Sequence, residues 1–165
     1  MHLFVPTKLD GYLRNKPKVE CILCAVRDNN PDVVRLVVHR DKNFIISLNL
    51  YPYNPGHVMI FPNRHIEDIR ALSNGEAMEI HKLTLITLGV LDKLYAPAGY
   101  NIGYNMGNVA GASIEHLHLH IVPRYKNELG IVDILSGSKI IVEDPNKTLE
   151  KLKIAYAEAI SATQK

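Results

Sequence analysis

The chain has 165 residues, 47% of them hydrophobic, which is enough for one buried core and the usual size of a single domain, here read as residues 1–165. Its formal charge is only +2, from 19 basic and 17 acidic residues, which argues against a nucleic-acid surface built on bulk charge but leaves room for a local anion site. No apolar run approaches the ~20 residues of a membrane span, and the opening stretch MHLFVPTKLDGYLRNKPK lacks the apolar segment and small-residue cleavage site of a secretory signal.

A cytoplasmic location is therefore expected. In a reducing compartment the C-x-x-C pair Cys21–Cys24 points to metal binding or redox chemistry rather than a structural disulfide. Residues 1–20 are polar and basic, carry Pro6 and Pro17, and read as an arm with a short helical turn around Asp10 to Arg14.

Cys21 to Asn30 reads as a knuckle followed by a polar loop. Val33 to His39 (VVRLVVH) and Phe44 to Leu50 (FIISLNL) read as two antiparallel strands. Tyr51-Pro52-Tyr53-Asn54-Pro55-Gly56 is then a turn region, with Pro followed by Gly suited to the central positions of type II. His57 to Pro62 (HVMIFP) is a third strand that puts His57, Met59 and Phe61 on one face.

Ser73-Asn74-Gly75-Glu76 fits a capping box. The helix it starts is expected to run to about Tyr95, with Ile80, Leu83, Thr87, Val90, Leu91 and Leu94 as its apolar stripe and Ala96-Pro97-Ala98-Gly99 as its stop. Tyr100 to Met106 is a fourth strand. The small-residue loop 107–113 leads to EHLHLHIVPR, residues 115–124, a fifth strand that Pro123 is expected to terminate.

Beyond Arg124, residues 126–165 form an extension with short apolar runs at Ile131 to Leu135 and Ile140 to Val142. A last helix over about Asn146 to Ile160 carries Leu149, Leu152, Tyr156 and Ala159 on one face. The order β-β-β-α-β-β-α predicts an α+β fold: an antiparallel sheet of about five strands with a long helix and a C-terminal helix packed on it.

The chemistry concentrates at His116, His118 and His120. Alternation in a strand puts all three imidazoles on one face, with Leu117, Leu119 and Ile121 on the other. Three explanations compete: a catalytic metal on three imidazoles, nucleophilic catalysis with one imidazole forming a covalent bond, or a structural cluster. Separately, Cys21 and Cys24 supply half of a tetrahedral zinc site, and His65 is a candidate third ligand.

His-Leu-His-Leu-His-Ile-Val resembles the signature of the histidine triad family of nucleotide hydrolases and nucleotidyl transferases. Pro55-Gly56-His57, Asn49, Asn105 and Ser113 also stand at the family's spacings, so the resemblance covers about residues 20–125. It implies His118 as a nucleophile that forms a nucleotidyl-histidine, with His120 and His57 around the phosphate. Asn105, Ser113 and the backbone around Gly111 would bind phosphate oxygens, Asn49 the ribose, and Ile46 and Leu48 would sandwich the base.

In branches with C-x-x-C the resemblance further implies structural zinc on Cys21, Cys24, His65 and His116, and no organic cofactor. Asn49-Leu50-Tyr51-Pro52-Tyr53-Asn54-Pro55-Gly56-His57 and the later Gly137-Ser138-Lys139 look like the diadenosine tetraphosphate phosphorylase branch, with Lys139 a candidate for attracting phosphate. Implied partners are a small nucleotide substrate and a second copy in a homodimer. Hydrolysis of dinucleoside polyphosphates or of a nucleoside phosphoramidate is the alternative within the class. A nucleotide sensor without turnover is the alternative outside it.

Overall fold

The computed structural model describes residues 17–126 and 144–163. The helical turn expected around Asp10 to Arg14, the apolar runs at Ile131 to Leu135 and Ile140 to Val142, and Gly137-Ser138-Lys139 lie outside the described residues.

The elements in chain order are α1 (Ile22–Arg27), β1 (Val37–Arg40), β2 (Phe44–Leu48), β3 (Val58–Pro62), α2 (Asn74–Tyr95), β4 (Gly99–Tyr104), β5 (Leu119–Arg124) and α3 (Pro145–Thr163). All the strand pairs are antiparallel, and the sheet order is β1-β2-β3-β5-β4. This is the α+β architecture expected from the order of elements.

The long helix forms where its capping box predicts. Ser73 accepts from the Glu76 N–H while the Glu76 carboxylate accepts from the Ser73 N–H, and Arg64 closes on Glu76 at 2.6 Å. Its stripe of Ile80, Leu83, Thr87, Val90 and Leu91 is buried. On α3, Leu149, Leu152 and Tyr156 are buried with it, and the Tyr156 hydroxyl donates to Thr87. Both helices pack on the sheet face made by Val38, Phe44, Ile46, Leu48, Val58, Ile60, Leu119 and Ile121. Full burial of each large aliphatic here is worth roughly 1.5–3 kcal/mol, so this layer holds the sheet rigid beneath the other face.

The opposite face is covered at one end by α1 through Leu23, Ala25 and Val26, which meet Ile45, Met59 and Phe61. The cysteine segment is thus a short helix rather than a bare knuckle. Cys21 is its N-cap, its sulfur taking the Cys24 N–H at 3.4 Å.

Strand register sets the rest of that face. Residues directly opposite in an antiparallel pair point the same way. Met59 lies opposite His120, and Gly103 opposite His120, so these positions share the face away from α2 and α3.

Several boundaries differ from expectation: β2 ends at Leu48, β3 starts at Val58, β4 runs Gly99–Tyr104 and α3 runs Pro145–Thr163, and the ends of β1 and β5 differ for reasons that matter to the site. The first strand starts at Val37, and Val33 is buried instead beside α1. The fifth strand starts at Leu119, because the Leu117 N–H leaves the sheet to reach the Ile66 carbonyl at 2.6 Å. Pro123 does not end the ladder: it stays paired with Tyr100, and β5 continues to Arg124. The pairing of β5 with β3 has already stopped at Ile121, and the Pro123 carbonyl accepts from Asn54 Nδ2 at 2.6 Å. The missing N–H therefore falls on a side where no strand needs it.

Candidate functional site

Two groups of side chains meet on the face away from the long helices. One contains His57, His118 and His120. The other contains Cys21, Cys24, His65 and His116, whose ligand atoms all lie within 4.8 Å of one another. Strand alternation alone puts His116, His118 and His120 in one row, while the family resemblance assigns His116 to zinc. The structure divides them, because His116 and His118 precede the ladder and His116 turns toward the cysteines.

In the second group, Cys21 Sγ is 3.3 Å from His116 Nδ1. Cys24 Sγ is 3.4 Å from His65 Nδ1 and 3.5 Å from His116 Nδ1. Tetrahedral zinc with ordinary Zn–S and Zn–N bonds would separate sulfur from nitrogen by about 3.6 Å. The donor set and its spacing therefore fit such an ion.

His116 is prepared for the role. Its Nε2–H donates to the Pro62 carbonyl at 2.9 Å, which leaves Nδ1 unprotonated toward the sulfurs. Burial, and then the nearby His65, His118 and Arg27, pushes its pKa down to about 4. Burial and the neighbouring Cys21 push the Cys24 thiol up to about 11, so without a cation this sulfur keeps its proton. His65 is the exposed member, and its Nε2 lies 3.6 Å from Glu67 Oε1. A cavity of about 480 Å³, lined by Glu20, Arg27, Glu67 and Glu115 among others, opens beside this group.

In the first group, hydrogen bonds assign the protons. His118 Nδ1–H donates to the main-chain carbonyl of His116 at 2.6 Å, so its lone pair is on Nε2. The Tyr53 N–H donates to His57 Nδ1 at 3.2 Å. A neutral His57 then carries its proton on Nε2, and this N–H points at His120 Nδ1, 3.0 Å away. His120 in turn carries its proton on Nε2.

The rings of His118 and His120 meet edge to face, with centroids 4.7 Å apart. Two adjacent imidazoles thus hold opposite tautomers, one offering a lone pair and the other an N–H. Burial lowers the pKa of both, that of His120 to about 4 with a further push from His118, and keeps them neutral near pH 7.

Of the remaining predicted residues, His57 is brought to this pair and Asn49 to His57. His57 is fully buried just before β3, on the Asn54–His57 turn that Gly56 closes at φ +78°. A side chain at Gly56 would press on Tyr95 at 3.1 Å and Leu91 at 3.3 Å. Asn49 follows β2. Its N–H donates to the His57 carbonyl at 3.0 Å, and its amide nitrogen is 3.5 Å from His57 Nε2. Asn105 leaves β4 one residue after Tyr104, which pairs with Leu119 beside His118. Gly111, at φ +85°, and Ser113 are exposed on the loop between β4 and β5.

Ile46 and Leu48 do not belong to the site. Both point into the core beneath the helices, at 0% and 5% exposure, and no base can reach them. Alternation places Ser47, not Ile46 or Leu48, on the open face, and the Ser47 hydroxyl is occupied by the Leu36 carbonyl at 2.9 Å. Tyr53 and Glu67 were not singled out from sequence. A tyrosine in a proline-rich turn and a glutamate in a polar loop carry no signal there.

A family model described as HIT domain matches residues 27–127. The chain belongs to the histidine triad (HIT) family. AP-4-A phosphorylase of Mycobacterium tuberculosis is 42% identical over 123 residues, which is 74% of this chain and 63% of that relative; this chain therefore spans less than two thirds of that protein's length. An uncharacterized HIT-like protein of Methanocaldococcus jannaschii is 35% identical over 133 residues, 81% of this chain and 98% of its own. Among solved structures, a Zn-bound histidine triad family protein from Mycobacterium smegmatis aligns with a TM-score of 0.72 at 23% identity, covering 87% of this chain and 97% of that one. The likeness extends the shared HIT fold beyond the matched segment.

Proposed function

We propose that this HIT protein is a nucleotidyl transferase or hydrolase that cleaves dinucleoside polyphosphates, such as diadenosine tetraphosphate, through a covalent nucleotidyl-His118. The observation that carries the reading is the 2.6 Å bond from His118 Nδ1–H to the His116 carbonyl, which presents the Nε2 lone pair beside the N–H of His120. Similarity to the phosphorylase from M. tuberculosis supports the substrate class.

In the first step His118 Nε2 bonds to the α-phosphorus and the bond to the leaving nucleotide's phosphate oxygen breaks. His120 Nε2–H meets the charge that develops on that oxygen, and His57 backs it through the 3.0 Å bond. In the second step an oxygen of inorganic phosphate or water bonds to phosphorus, the N–P bond breaks, and His118 returns to its starting tautomer. The imidazolium formed at the intermediate is held by the same His116 carbonyl. Asn105, Ser113 and the backbone at Gly111 hold phosphate oxygens, and Asn49 holds the ribose.

Zinc on Cys21, Cys24, His65 and His116 is structural in this reading. With four protein ligands the ion has no open position for substrate, and when bound it ties α1 to the chain entering β5. The thiol pair fits a reducing, cytoplasmic setting. A homodimer is supported by β4, an edge strand with Ile102 46% exposed, which offers a second copy an antiparallel partner.

The test is to mix the protein with diadenosine tetraphosphate, with and without phosphate, and separate the products. ADP plus ATP formed only with phosphate supports the phosphorylase form, and AMP plus ATP the hydrolase form. Binding without product contradicts catalysis and supports a sensor.

A further inference from the structure

Tyr53 stands against the imidazoles without a part in the proposed chemistry. Its ring is stacked on His57, with centroids 5.1 Å apart and planes 17° from parallel. The same ring lies 6.3 Å from that of His120, tilted by 42°. Its main-chain N–H is the donor to His57 Nδ1. One residue therefore holds His57 both by an edge atom and by a face.

The segment carrying Tyr53 is fixed from outside the site. Asn54 is fully buried and donates to the Pro123 carbonyl at 2.6 Å. The Tyr125 hydroxyl donates to the Pro55 carbonyl at 2.9 Å. Gly56 sits against Tyr95 and Leu91 of α2. β5 and α2 thus anchor the turn that carries the Tyr53 N–H.

We propose that Tyr53 is a positioning residue: its N–H and ring together lock His57 in the tautomer with the proton on Nε2, which turns the N–H of His120 toward the reacting phosphate. The catalytic part of this role rests on the function proposed above; the tautomer lock does not. The physical reason is that an imidazole exchanges tautomers readily when water, which both donates and accepts, reaches its edge. The main-chain N–H selects which nitrogen accepts, and the aromatic plane keeps water from the ring it covers. A tautomer flip at His57 would make His57 Nε2 an acceptor, drive the proton of His120 onto Nδ1, and leave a lone pair facing phosphate oxygens. Repulsion between two acceptor lone pairs would then replace a hydrogen bond.

The experiment is nitrogen-15 NMR of the imidazoles in the full-length wild-type protein and in Tyr53→Phe and Tyr53→Leu, alongside steady-state kinetics on diadenosine tetraphosphate. The wild type and Tyr53→Phe are expected to show Nε2–H on both His57 and His120. Tyr53→Leu is expected to mix the tautomers of both rings and to lower kcat by about ten-fold or more with KM within about two-fold, as for weakened general-acid catalysis.

Nδ1–H on His57 in the wild type overturns the proposal, and so does a Tyr53→Leu protein that keeps both tautomers and kcat. Should Tyr53→Leu not fold, the wild-type spectrum still decides. Should the wild type not turn over the dinucleotide, the functional reading fails while the spectra still test the tautomer lock.

Discussion

The Cys21–Cys24–His65–His116 group and the His57–His118–His120 group occupy the same face of one sheet and are joined through a single residue, His116. Their hydrogen positions set them apart. In the first group the ring nitrogens nearest the sulfurs converge at 3.3–3.5 Å, and the His116 proton is committed elsewhere, to Pro62. Donor atoms that converge in this way call for a cation. In the second group the N–H groups of Tyr53, His57 and His118 each have an acceptor, in sequence from Tyr53 to His57 to His120 and from His118 to the His116 carbonyl. Groups ordered in this way are set to move protons and electron pairs. The proposed function thus assigns three histidines in alternation to two chemistries, with the side chain and carbonyl of His116 linking the two groups.

The sharpest way to break this division is to remove the imidazole that carries a lone pair. His118→Ala is expected to cost more than about a thousand-fold in kcat, since a covalent route loses its nucleophile. Its melting temperature is expected to stay within a few degrees of wild type, and its metal content unchanged. A comparable loss of metal in this variant would merge the two groups into one.

The converse change acts on the cluster. Cys24→Ser, or a strong chelator, is expected to remove one equivalent of metal per chain and lower the melting temperature by about 5–10 °C, because metal binding at such a site is folding free energy. Metal analysis beside calorimetry checks this. Unchanged stability in metal-free protein would show that the cluster does not hold the fold.

Acid separates the groups more gently. The folded pKa of His120 is depressed to about 4 from 6.5, so the unfolded chain takes up this proton first as pH falls. The contribution of His120 is present in full above pH 6.5 and is lost as pH drops toward 4. In urea titrations across that interval, wild type is expected to lose stability more steeply than His120→Gln. Equal slopes would mean that His120 titrates normally in the folded protein.

The smallest effect is expected at Glu67. His65 and Glu67 are both largely exposed, and their 3.6 Å contact is screened by solvent. Glu67→Gln should weaken metal affinity by only a few-fold, below the ~10–100-fold typical of buried partners of ligating histidines. Competition with a chelating dye measures it.

How far the sequence foretold these features follows from their range along the chain. Ser73 and Glu76 are three residues apart and announce α2 before any tertiary contact is known. The strands follow alternation, and the proposed site residues His57, His118 and His120 follow spacing. Features that depend on distant partners were not legible. Cys21 to Arg27 is too short to show a helical period, and α1 is fixed by packing on Ile45, Met59 and Phe61. Ile46 and Leu48 read as available apolar surface until the register of β2 with β3 assigns them to the helix side. Nor did Pro123 mark the end of β5, since its effect depends on which neighbour its missing N–H faces. Tyr53 is identified only by what it covers.

In the proposed mechanism His118, and not a bound metal, forms the bond to phosphorus. Intact-protein mass spectrometry after rapid mixing with diadenosine tetraphosphate in phosphate-free buffer, quenched at alkaline pH, tests it directly. An added mass of one adenylyl group is expected, located at His118 by peptide mapping, absent from His118→Ala, and discharged to ADP or AMP when the acceptor is supplied. Full turnover by His118→Ala, or an adduct mapped to another residue, would contradict it.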